Sequence, residues 1–224
     1  MKEIIHTLRL STSATLIIVL SFFALEPAVS NAIEDQFTVT QQVTAEISFL
    51  TPSADIVMSP TLPGITGGTA NGSTYVRVLT NNATGYSMSL TASSSGGMIG
   101  NTQGGSIPAL VPTVAGVPNY AFVTLASNLA GFAYTVEAST TGEVTQPFRD
   151  NGSNTCNTGS TEGVDTCWLN ATSGPMMIIN RSSGTPASGA TTTIKFRTII
   201  MPSPSPAIPQ DTYVATTTLT ATTN

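Results

Sequence analysis

Hydrophobic and polar residues alternate with a period of two along most of this chain, and the clearest run comes early. From Phe37 to Phe49 one face carries Phe37, Val39, Val43, Ala45, Ile47 and Phe49, broken only by Gln41, while Thr, Gln, Glu and Ser fill the other. That alternation predicts a long half-buried strand. A Pro- and Gly-rich stretch, Ser59 to Gly68, then breaks the pattern. Ser73–Thr80 and Tyr86–Ala92 are both β-rich and flank the turn Asn81-Asn82-Ala83-Thr84-Gly85, which predicts a hairpin. Residues 93–118 are rich in Gly, Ser and Pro and read as a long loop or irregular edge. Asn119–Thr124 and Phe132–Ala138 are further strand candidates.

Beyond residue 167 the signal strengthens again. Met176-Met177-Ile178-Ile179 reads as a buried strand, and Ala190–Met201 sets Ile194, Phe196, Thr198 and Ile200 on one side. Thr212–Thr223 places Tyr213, Ala215, Thr217, Leu219 and Ala221 on one face. No amphipathic helix interrupts these strands, and β-branched residues dominate. Such spacing predicts an all-β fold, an Ig-like or jelly-roll-like antiparallel β-sandwich of about eight to ten strands. No repeat of fixed period is visible, which argues against a propeller or solenoid.

Residues 1–32 change the picture in another way. Lys2 and Arg9 form a positive start, Ala14–Leu25 is an apolar run of 12 residues, and Ala28-Val29-Ser30-Asn31-Ala32 offers small residues for cleavage. This is the plan of a secretory signal peptide. The run falls short of the roughly 20 residues a membrane-spanning helix needs. The expected organisation is therefore a leader over 1–32 and one sandwich domain over 33–224. The destination is extracellular or the cell surface, with no transmembrane segment after leader cleavage.

The cysteines agree with export. Cys156 and Cys167 enclose a short polar loop, and after residue 32 the chain has no histidine. Zinc therefore lacks ligands, and the spacing is not that of a redox CxxC pair. A disulfide stapling a loop over about 139–167 is the simplest account. In the chain-entropy treatment, closing it stabilises the fold by roughly 2–3 kcal/mol.

Charge is scarce. Only 8% of residues are charged, the net charge is −5, and the basic residues after the leader are Arg77, Arg149, Arg181, Lys195 and Arg197. Scattered cations on an acidic chain exclude nucleic acid as a partner, which requires a clustered basic face. Catalysis by a Ser or Cys nucleophile lacks an activating His, and Lys195 falls within a strand pattern. The surviving acids Glu137, Glu143, Asp150, Glu162 and Asp165 gather around the stapled loop. Two of them converging in a cleft would suit a carboxylate hydrolase, but no motif marks such a pair. No enzyme activity and no cofactor are expected. Asp150-Asn151-Gly152-Ser153-Asn154 resembles part of a calcium loop without its bidentate Glu, and reads as an Asn-Gly turn.

Trp168, beside Cys167, either packs on the disulfide or serves as a sugar-stacking platform. With Asp150, Glu162 and Asp165 it forms the candidate ligand-contact set for an extracellular carbohydrate-binding module. The N-x-S/T sequons at Asn71, Asn82, Asn151, Asn170 and Asn180 exceed what this composition gives by chance so slightly that the excess decides nothing.

Two stretches carry a resemblance. Thr80-Asn81-Asn82-Ala83-Thr84-Gly85-Tyr86-Ser87-Met88-Ser89-Leu90 resembles the segment of bacterial fimbrial-type subunits, including the spore-coat-U-like group, in which a turn and Gly-Tyr lead into an alternating strand. Ile208 to Thr220 is similar to their terminal strand, with Asp211 where Gly is usual. An early Cys typical of those proteins is missing. The resemblance implies a secreted Ig-like sandwich that assembles with other surface protein subunits, copies of itself included. Under it, Phe37, Val39, Val43, Ile47 and Phe49 either complete their own sheet or pair with a neighbour's open edge. The expected function is a non-catalytic structural or adhesive surface protein whose partners are other subunits or glycans.

Overall fold

The computed structural model describes residues 34–93, 96–140 and 142–224. The leader assigned to 1–32 lies outside them. Among the described residues no helix is long and apolar enough to cross a membrane. The chain divides into two compact units at Val43 and Thr44.

The larger unit, Thr44–Asn224, is an antiparallel β-sandwich. Its strands are β1 (Ile47–Thr51), β2 (Gly68–Thr80), β3 (Tyr86–Ala92), β4 (Met98–Gly100), β5 (Ser106–Ile107), β6 (Ala130–Ala138), β7 (Met176–Arg181), β8 (Ala190–Ile200), β9 (Tyr213–Val214) and β10 (Thr217–Thr223). The first sheet has the order β1-β2-β8-β6 and the second the order β10-β3-β7. A small third sheet has the order β5-β4-β9.

The inward faces follow the alternation. Val76 and Val78 of β2, Ile194 and Phe196 of β8, and Tyr134 and Val136 of β6 meet Tyr86, Met88 and Leu90 of β3 and Ile178 and Ile179 of β7 in one core. Phe132 stacks on Phe196 with ring centroids 5.7 Å apart. Apolar area removed from water on this scale is the main force holding the two sheets together.

β6 departs from alternation, being buried without a break from Gly131 to Val136. Loops cover its outer side. Leu110, Phe122 and Trp168 form a second apolar cluster with Ala133 of β6 and Ile199 of β8. The backbone of Leu169 pairs with Tyr134 at 2.8 and 2.9 Å, and Leu110 N–H donates to Phe132 O at 2.8 Å.

Several expectations from the sequence need correction. Ser73–Thr80 and Tyr86–Ala92 are strands but not a hairpin. β2 pairs with β1 and β8, whereas β3 pairs with β10 and β7, so the Asn81–Gly85 turn carries the chain from one sheet to the other. Gly85 permits that crossing, with φ +80° and a backbone so close to Arg181 O that a Cβ would lie 2.0 Å from it.

The long strand read over Phe37–Phe49 is also shorter than its pattern. Strand structure begins only at Ile47, so Ile47 and Phe49 lie in β1 while residues 37–46 join no strand ladder among the described residues. Alternation signals a two-faced segment, but strand formation also needs a backbone partner. Phe37, Val39 and Val43 are 83%, 81% and 79% exposed. The start of β1 is fixed by side chains instead. Glu46 N–H donates to Asn81 Oδ1 at 2.7 Å, and Asn81 Nδ2 donates to Thr44 O at 3.0 Å.

Asn119–Thr124 is not a strand. It contributes one bridge, Asn119 to Trp168, and tucks Phe122 against the indole. The strand read over Thr212–Thr223 is split into β9 and β10, which pair with different sheets.

Candidate functional site

The stapled loop is pinned by its disulfide and by backbone and side-chain hydrogen bonds. Cys156 and Cys167 form the disulfide, with Cα atoms 5.5 Å apart. Asp150 lies at its centre and is 2% exposed. Its backbone pairs with Thr161 at 2.8 and 3.0 Å, and its Oδ1 accepts the Gly152 N–H at 2.7 Å. This is an Asx turn, in agreement with the Asn-Gly reading of 150–154. Glu162 accepts the Gly142 N–H through Oε1.

The remaining acids of the region meet cations. Lys195 Nζ lies 2.6 Å from Glu137 Oε1 and 3.1 Å from Asp165 Oδ1. Partial burial works against the ammonium, but its hydrogen bonds to the two carboxylates outweigh that and hold the Lys195 pKa above its ordinary value. A lysine held protonated is the opposite of a general base. Glu143 pairs with Arg181 and is 7% exposed. Desolvation raises the Glu143 pKa against the pull of Arg181. Arg149 is committed to the carbonyls of Val144 and Gly142. Among the described residues no group of three His, Cys, Asp or Glu side chains could hold a metal ion.

Trp168 is 1% exposed, so the indole offers no face to a sugar. Its Nε1 donates to Asp165 O at 2.9 Å, Phe122 packs at 6.1 Å between ring centroids, and the Arg197 guanidinium sits 4.3 Å above the ring. Arg197 is itself fixed by Asn71 Oδ1 and Phe122 O, each at 2.7 Å. Of the four residues read as a ligand-contact set, Asp150 and Trp168 are interior, Glu162 is half-buried on a backbone amide, and only Asp165 is exposed. The proximity in sequence was real, but its product is a loop clamped to β6 and β8.

Two open features lie elsewhere in the larger unit. The first is a cleft of about 410 Å³ between the sheet layers, flanked by Ala54–Ile56, Met58 and the segment Tyr213–Thr217. Core side chains Leu90, Phe132, Ile194 and Phe196 form its floor. Gly72 of β2 lets residues 56–58 lie close, since a Cβ there would come within 2.4 Å of Ile56 Cγ2. Beside the cleft, β10 is an edge strand, paired with β3 alone. Its edge offers unpaired backbone groups.

The second is the outer face of β2 and β8. Cross-strand partners there are Ser73 with Lys195, Tyr75 with Thr193, and Arg77 with Thr191. Ser73, Tyr75, Arg77, Thr191 and Thr193 line a shallow depression. Tyr75 is 54% exposed, whereas Tyr86 and Tyr134 are fully buried. Burial, reinforced by the Glu143 charge, pushes the Tyr86 phenol up to about 12. The period-two partners of Tyr75, Ser73 and Arg77, are the sequence signal that it faces outward.

No protein-family model matches the chain, and a search of curated proteins returns no match.

Proposed function

We propose that this protein is a secreted, non-catalytic structural or adhesive component of a cell surface, joined to a neighbouring copy through the segment beginning at Phe37. The observation that carries this reading is the exposure of Phe37, Val39 and Val43, alternating apolar residues with no backbone partner among the described residues. A β-competent segment of this kind gains hydrogen bonds and apolar burial by adding to an open sheet edge. β10 offers that edge, and the adjoining cleft of about 410 Å³ offers apolar floor to alternate side chains. The lack of catalysis is supported by the absence of His after residue 32 and by the engagement of the loop acids in ion pairs and backbone hydrogen bonds. The leader pattern at 1–32 supports export.

Electron microscopy and sedimentation of the purified protein test this. Filaments or oligomers are expected, and the double variant Phe37→Asp, Val39→Asp should give a monomer with unchanged melting. A wild-type protein that stays monomeric at high concentration sinks the reading.

A further inference from the structure

Three of the five cations after residue 32, Arg77, Lys195 and Arg197, project from one face of the first sheet, on a chain whose net charge is −5. Two of them are occupied. Lys195 is neutralised by Glu137 and Asp165, and Arg197 is locked over Trp168. Arg77 differs. Its Nε reaches Thr191 Oγ1 at 3.4 Å, and no carboxylate pairs with it among the described residues. One residue pair along the strands, the half-exposed Tyr75 phenol stands beside Thr193.

We propose that this open half of the sheet face binds an acidic saccharide, a uronate-bearing polysaccharide chain. The chemistry of each residue fits one part of such a ligand. A guanidinium presents a planar fork that pairs with a carboxylate through two parallel hydrogen bonds. An exposed aromatic ring gives the apolar C–H face of a pyranose a flat surface to cover. The hydroxyls of Ser73, Thr191 and Thr193 can both donate to and accept from sugar hydroxyls. The depression is shallow and open, which suits one side of an extended polymer rather than an enclosed small molecule. Charge decides in favour of an acidic sugar over a neutral one. Arg77 is the cation on this face that internal acids leave uncompensated, and the nearby Glu137 and Asp165 are already held by Lys195.

The inference extends the surface reading but does not depend on strand donation. Affinity electrophoresis and titration calorimetry of the purified protein against polygalacturonate, with dextran as the neutral polymer, test it. Wild-type protein should be retarded by polygalacturonate alone, with affinity falling as salt rises. Loss of the fork in Arg77→Gln should weaken binding by about tenfold or more. Arg77→Lys, which keeps the charge without the fork, should lie between, and Tyr75→Ala should weaken binding several-fold. Phe37→Asp should bind as wild type, which separates this site from assembly. No retardation by polygalacturonate, or equal retardation of wild type and Arg77→Gln, overturns the proposal. So does loss of self-association in Arg77→Gln without saccharide binding, which would make this face a contact between copies.

Discussion

On either side of β8 the first sheet is finished in opposite ways. Toward β6 the outer face is roofed by the loops that carry Leu110, Phe122 and Trp168, and β6 is buried on both sides. Toward β2 the same face is open, with Tyr75 half exposed and Arg77 barely engaged. The cations follow this division. Under the roof, Lys195 meets two carboxylates and Arg197 two oxygens and an indole face, contacts that offset the cost of partly desolvating a charge. In the open half, Arg77 has no carboxylate partner among the described residues, and water can solvate it. One face thus carries both a structural clamp and an open polar patch, and loop cover separates the two.

The sharpest test of this contrast compares one aromatic residue from each half. Trp168→Ala should lower unfolding free energy by about 3–5 kcal/mol, because it removes a buried ring and leaves a cavity. Tyr75→Ala should change it by no more than about 0.5 kcal/mol, as an exposed strand position does. Urea unfolding of the two variants measures both. Equal losses would mean that the roof is not a second core.

A smaller effect is expected at the clamp. Glu137→Gln should cost roughly 0.2–1 kcal/mol, since the Lys195 pairs remain partly solvated. The Lys195 pKa is raised in the fold, so the folded state holds its proton more tightly than the unfolded chain does. Its contribution is therefore complete below the ordinary lysine range and disappears as pH rises through the raised folded value. Alkaline melting curves of wild type and Glu137→Gln should converge above that range; curves that stay parallel would remove the clamp from the account.

The smallest effect belongs to a carboxylate that uses backbone amides in place of a cation. Asp211 accepts the N–H groups of Gln103 and Thr102, at 2.7 and 2.8 Å, and these hold its pKa down at about 2. A depressed pKa contributes stability above the ordinary carboxylate value, and that contribution is lost as pH falls toward about 2. Asp211→Asn should weaken this acid dependence by lowering melting slightly at neutral pH, where the carboxylate contributes, and leaving it nearly unchanged near pH 2.

Much of this contrast could be read from the chain, though not the part that decides it. The alternations in β2, β3, β8 and β10 were legible because each strand has one wet and one dry face. β6 was legible as a strand but not as one buried twice, because its cover comes from residues remote in sequence. The same distance hid the clamp, in which Lys195 meets acids 30 and 58 positions away. A turn such as Asn81–Gly85 looks alike whether its strands pair or part. Only the presence of β1 and β8 beside β2 decides the matter.

The placement of the few basic residues after position 32 has a further result for proteolysis. Trypsin-like proteases cut after Lys or Arg and need an extended, accessible stretch around the scissile bond. Arg77, Arg181, Lys195 and Arg197 all lie within strands, and Arg149 is tied to two carbonyls near the disulfide loop. Even the exposed stretch from Glu34 to Val43 contains no such residue. Digestion by these enzymes within residues 34–224 must therefore wait for unfolding, so the scarcity of charge gives this part of the chain durability against them.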